Sequence, residues 1–385
     1  MKRFFGGSRV ALATIAITAS TLAPGGSMAG AAAAADKLAA CYVRTLPVDG
    51  RVLLLGIHAD SHLVDYLFAA EVGRAGGRRL VDYSTGARVD APPVHSIHAS
   101  EPLLSPTGRW VAHAKTEQGQ SSLVVERIDG SDAKTCLSSD GFLRALAFSM
   151  DESSLVMMSA RGNEHRLILC DMQRGLIHSW STTTLGEQAR EPLRPRLHGR
   201  PPWMIDFARF SPDATKILSG RIDGQLVLWD VGGNRRQTTT VANYSPGSMR
   251  TRFGFDTDAG VYQLARDVDP AKPRPTFVVS RLFPEQARLA VVHDAGIKAR
   301  RSLEFPEFHV TAQGLMLLYL MPSAVTVAAV PGGETIAQVP ANESVLAVAI
   351  SSDGAMVAIA HPERINVWRL VPPGSCQAGT SSKPG

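Results

Sequence analysis

Beyond residue 29 the chain is a succession of short apolar runs rich in Val, Ile, Leu and Ala, broken by Gly, Pro, Asp and Ser. Runs of about four to eight residues with turn residues between them predict strands and tight turns, and helical periodicity is almost absent. The chain therefore reads as all-β. The clearest segment is "FARFSPDATKILSGRIDGQLVLWD", residues 207–230. An alternating apolar run meets Ser-Pro-Asp, a second meets Asp-Gly, and a third closes on Trp229-Asp230.

The first half of that segment recurs along the chain: an apolar strand, a turn with Pro, Asp or Gly, then a more hydrophobic strand. Copies read as residues 45–56, 103–114, 147–159, 209–220, 254–265, 309–320 and 349–360. Their turns fall near residues 47, 105, 149, 211, 256, 311 and 351, spaced by 40 to 62 residues. Each interval has room for four strands. In the fourth copy these are 204–210, 214–220, 224–231 and 235–242; in the sixth, 305–310, 314–321, 323–330 and 334–339. Four-stranded antiparallel units of this length are the blades of a β-propeller. A lone blade leaves both faces uncovered, so stacking neighbours in a ring supplies the core. Small residues in the second strands ("MVAIA", "WVAHA") suit close packing between blades. The expected fold is a seven-bladed β-propeller, with six or eight blades as the alternative counts. Two β-sandwiches would also give short strands but would not keep a constant turn phase.

The N-terminus changes the meaning of the charge. Lys2, Arg3 and Arg9 precede an uncharged apolar run from Val10 to Ala23 and then Ser27-Met28-Ala29, the pattern of a secretory signal peptide. The run is too short for a membrane span, which needs roughly 20 apolar residues. Without residues 1–29 the formal charge falls from +5 to +2, so the basic pI mostly reflects export and nucleic acid is not an expected partner. The expected division is a signal peptide over 1–29, a low-complexity linker over 30–40, a propeller over 41–376 and a flexible tail over 377–385. Localisation is then periplasmic or secreted, with no transmembrane span in the mature chain. Leu38-Ala39-Ala40-Cys41 resembles a lipobox, which would put a lipid anchor on Cys41, although Pro24, Asp36 and Lys37 separate it from the apolar run. All four cysteines, Cys41, Cys136, Cys170 and Cys376, follow the signal, and an even number in an oxidising compartment implies disulfides. Composition alone leaves three connectivities open.

Residues 207–230 resemble a WD-repeat blade through the phrases FSPD, LSG, DG and LWD, and residues 105–137 resemble the related TolB-type repeat through a strand ending in IDG. The resemblance implies a structural hydrogen-bond network of His198, Asp223, Trp229 and Ser219, with Arg221 standing where that family usually has its hydroxyl. Trp110, Trp229 and Trp368 read as packing residues. Many propellers close by lending the N-terminal segment to the last blade. Residues 41–46 read as the innermost strand of the first blade, while the seventh lacks a fourth strand of its own. Because Cys41 and Cys376 bracket the ring, the expected pairs are Cys41–Cys376 and Cys136–Cys170.

No GxSxG, HExxH, GxGxxG or P-loop phrase is present, and no CxxC or zinc spacing, so neither catalytic residues, nor a cofactor, nor a metal is nominated. His58/His62 and His95/His98 have pair spacing without a third ligand, and "DTDAG" at 256–260 occupies the ordinary repeat turn rather than a full calcium loop. The departures from the repeat are two insertions: 181–203, with Arg190, Arg194, Arg196 and Arg200, and 267–275, rich in Pro. They lie at different strand junctions, which leaves emergence on opposite faces open. The leading expectation is a non-enzymatic scaffold whose inserted loops bind a protein partner. The alternative is an enzyme or small-ligand binder, lactonase- or hydrolase-like, with a site at the mouth of the central channel.

Overall fold

The computed structural model describes residues 37–69, 77–90, 102–162, 164–181, 204–232, 236–241, 252–267, 276–284, 287–293 and 307–376. The first strand, β1 (Ala39–Pro47), stands apart from its sequence neighbours. Blade one is β2 (Val52–His58), β3 (Leu63–Phe68), β4 (Gly77–Asp82) and β5 (Arg88–Val89); blade two is β6 (Leu103–Leu104), β7 (Trp110–Glu117), β8 (Gln120–Arg127) and β9 (Ala133–Ser139). Blade three is β10 (Phe142–Phe148), β11 (Ser154–Arg161), β12 (Glu164–Asp171) and β13 (Gly175–Ser181); blade four is β14 (Ile205–Phe210), β15 (Lys216–Arg221), β16 (Gln225–Asp230) and β17 (Arg236–Thr240). Blade five is β18 (Phe253–Phe255), β19 (Val261–Asp267), β20 (Thr276–Phe283) and β21 (Ala287–His293); blade six is β22 (Glu307–Thr311), β23 (Gly314–Met321), β24 (Ala324–Val330) and β25 (Thr335–Pro340). Blade seven takes β26 (Ala347–Ile350), β27 (Met356–Ala360) and β28 (Arg364–Val371) from the C-terminus, and β1 adds to β28 as its outermost strand. The protein is thus a seven-bladed β-propeller.

Residues 41–46 are therefore not the innermost strand of blade one. They pair antiparallel with β28, from Ala39 opposite Val371 to Pro47 opposite Arg364. The turn near residue 47 joins blade seven to blade one, and the first true repeat turn is Ala59–His62. The misreading has a local cause: Pro47-Val48-Asp49-Gly50 imitates the repeat turn, but Asp49 instead accepts from Arg79 and Arg88 of blade one.

The recurring phrase is turn chemistry. Ser105, Ser149, Ser211 and Ser351 are fully buried, and each hydroxyl oxygen accepts the N–H five residues on, at 2.9–3.0 Å. Three of these hydroxyls donate to the Asp two residues later, Asp151, Asp213 and Asp353. Burial pushes Asp151 and Asp213 up, but hydrogen bonds from the turn outweigh it and hold both below the ordinary 3.8. The fourth residue of the turn takes positive φ in all seven blades: His62, Gly108, Glu152, Ala214, Ala259 and Gly354 at 56–76°, and Gly314 at 117°. Three-to-five-residue hairpins need one such left-handed residue to match the strand twist, whatever its side chain.

Both faces of each blade are covered, which is why the strands read as continuous apolar runs. Along β27, Met356, Ala358 and Ala360 face blade one while Val357 and Ile359 face blade six. Seven apolar clusters result, one between each pair of neighbouring blades. Among the described residues that between blades one and two is the smallest, with Leu80, Leu104 and Val111 buried in it.

Candidate functional site

A meander of antiparallel strands sorts its connections by end. First-to-second and third-to-fourth strand turns share one end of the ring, while second-to-third turns and blade-to-blade connections share the other. At the first end every connection within a blade is short, such as Ala59–His62, Ser105–Arg109 and Ser351–Ala355. At the second end stand the strand ends that flank 69–76, 90–102, 182–204, 241–252, 268–275 and 294–306. The two insertions thus leave from the same end: one joins β13 to β14, the other β19 to β20. The possibility of opposite faces is removed by strand direction alone. Arg190, Arg194, Arg196 and Arg200 lie outside the described residues, as do His95, His98 and His198.

At the short-turn end the inner strands of six blades converge on a cavity of about 350 Å³. Its wall mixes apolar side chains, among them Leu55, Leu103, Leu146, Phe148, Phe210, Val310 and Ile350, with His58, Arg209, His309 and Ser352. No single blade supplies more than a few of these residues, so no sequence phrase announces the site. The signal available in retrospect is the last two or three residues of each inner strand, read as a set.

His58 ends β2 and turns into the seam between blades one and two. Its Nδ1–H donates to the carbonyl of Pro106 at 3.3 Å, and the Ser352 hydroxyl of blade seven donates to the same oxygen at 3.1 Å. Burial pushes the His58 pKa below the usual 6.5, partly opposed by the Asp65 carboxylate. Asp65 and Arg78 form an ion pair in this seam, with Arg78 Nε donating to Oδ1 at 2.7 Å and another guanidinium nitrogen donating to the Pro102 carbonyl. Polar contacts here take the place of the apolar packing found between other blades. His62 instead packs edge-on against Tyr83, with ring centroids 5.5 Å apart, so the two histidines do not converge. Across the channel, His309 Nε2 lies 3.4 Å from Glu307 Oε2.

In blade four, Trp229 Nε1–H donates to Ser219 Oγ at 2.8 Å in a fully buried bond. Asp223 does not extend that bond: it accepts from Arg221 at 2.5 Å and from the Gln225 N–H. Asp256 caps its own turn, accepting from the Asp258 and Gly260 N–H groups and from the Tyr262 hydroxyl. Among the described residues no group of three His, Cys, Asp or Glu side chains is placed to hold a metal. Trp368 packs edge-on against Tyr42, and Arg127 lies over Trp110.

Disulfides join Cys41 to Cys376 and Cys136 to Cys170, with Cα–Cα distances of 5.7 and 6.0 Å. A lipid thioether on Cys41 would compete for the same sulfur, and the lipobox reading is incompatible with this bond.

No family model matches the chain, and no curated protein matches it. Among solved structures it is similar to the β-propeller domain of Cps50 (Swd1) from Myceliophteria thermophila, with a TM-score of 0.52 and 11% identity. The match covers 86% of this chain and 99% of that domain, and at this identity it speaks for the fold.

Proposed function

We propose that the protein is an exported, non-enzymatic scaffold that binds a protein partner through the long connections at one end of the ring. The observation that carries this reading is the one-sided distribution of connection length, since binding loops concentrate where a rigid frame holds them. Charge indicates the class of partner. The connections at that end carry Arg190, Arg194, Arg196, Arg200, Lys272, Arg274, Lys298, Arg300 and Arg301, in excess of their acidic residues. An acidic protein surface is the complement such a cluster selects. Two disulfides agree with an oxidising compartment, periplasmic or extracellular, and no helix among the described residues is long and apolar enough to cross a membrane.

The test is co-purification from the envelope or the medium with wild-type protein and with a variant carrying Glu at 190, 194, 196 and 200. A partner lost by the variant, at unchanged thermal stability, supports the reading. Equal recovery removes this connection as the contact.

A further inference from the structure

We propose that the cavity at the short-turn end of the channel binds a small neutral alcohol or phenol with a compact apolar body, the hydroxyl donating to His58 Nε2. This goes beyond the protein-binding reading and concerns the opposite end of the ring.

Three observations lead there. The first is an acceptor without a donor. His58 is only 9% exposed, and Nε2 is buried with no hydrogen-bond partner. A carbonyl can only accept, so the contact with Pro106 places the ring proton on Nδ1 and leaves Nε2 as a bare lone pair. A buried polar atom left in this state costs about 1–3 kcal/mol, which a ligand donor would recover.

The second is position. Gly56 and His58 project from the same face of β2, and both line the cavity. The place a Cβ of Gly56 would take lies 3.5 Å from His58 Nε2 and equally far from Asp65 Oδ2, so glycine sets no side chain of its own against the nitrogen. Nε2 itself is buried, so the hydroxyl is admitted by a small turn of the imidazole toward that space.

The third is what the wall selects. Leucine, valine and isoleucine side chains from several blades favour an apolar body, and about 350 Å³ is more than twice the roughly 150 Å³ that accommodates benzene. That is room for a bicyclic molecule. Asp65 is already paired with Arg78, so a charged head gains no free counter-charge beside His58, and a neutral hydroxyl meets the acceptor without one.

The probe is 2-naphthol, titrated into the disulfide-intact protein by fluorescence and calorimetry beside 2-methoxynaphthalene, which has the same body but no donor, and 2-naphthoate. The expected result is saturable one-site binding of 2-naphthol, about tenfold tighter than the methyl ether. His58→Leu should bring the two affinities together, and Ala147→Phe, which fills the cavity from blade three, should abolish both. The comparison among ligands uses wild-type protein and does not depend on either variant folding. Equal binding of alcohol and ether, tighter binding of 2-naphthoate, unchanged selectivity in a folded His58→Leu protein, or no saturable binding overturns the proposal.

Discussion

Cys41 and Cys376 are joined by a disulfide although 335 residues separate them. Cys41 lies in the outermost strand of blade seven, opposite Arg369, and Cys376 follows the end of the neighbouring strand. The bond thus fastens the one described strand that reaches its blade from the far end of the chain.

Removing it as Cys41→Ala/Cys376→Ala should cost about 2–5 kcal/mol in urea unfolding. Hydrogen exchange should accelerate selectively in Ala39–Leu46, because the loss is first felt where the ring closes. Removing Cys136–Cys170, which closes a span of 34 residues, should cost a comparable amount and leave that strand protected.

Gly220→Ala tests the close approach inside blade four. An added Cβ would enter the ring of Phe207, which stacks on Phe253 of blade five at 5.5 Å with 8° between planes. The expected cost is about 1–3 kcal/mol, from overpacking rather than from lost contacts. Phe207→Leu in the same chain should recover part of it, measured by thermal melting.

The seam between blades one and two depends on Asp65 and Arg78 where its neighbours depend on apolar clusters. Asp65→Ala or Arg78→Ala alone should cost about 1–3 kcal/mol, since each leaves a partly buried charge behind. The pair Asp65→Leu/Arg78→Met should cost less than the sum of the single changes. A double-mutant cycle with no coupling would remove the ion pair as the element that holds the seam.

Stability should fall on mild acidification. Burial holds His58, His165 and His361 below the ordinary 6.5, so the unfolded chain binds protons that the folded protein refuses. The histidine contribution is complete above about pH 6.5 and is lost as pH falls below it. Asp82, Asp151 and Asp213, held below 3.8, add their own loss only at lower pH. Denaturation midpoints between pH 7.5 and 4.5 should therefore decline, and His361→Gln should make the decline shallower. A midpoint that rises with acid would contradict this.

The repeat was legible in the sequence because its determinants are local. Ser149, Asp151 and Ser154 complete their bonds within six residues, so the phrase and the turn are one object. Strand bounds in blades four and six follow the apolar runs to within about two residues, since a strand buried on both faces is written as an uninterrupted run. The phase error at residue 47 arose where Pro-Val-Asp-Gly has turn composition but joins two different blades.

The order of apolar runs and turn residues determined an all-β chain of repeated four-stranded units, because hairpin register and turn type are set by neighbours a few residues apart. Only the tertiary structure decided that β1 closes blade seven. It alone brought His58, Arg209 and His309 around a single cavity. Those relationships span tens to hundreds of residues, and they follow from the cyclic stacking of blades, in which each strand end meets partners that no short stretch of sequence contains.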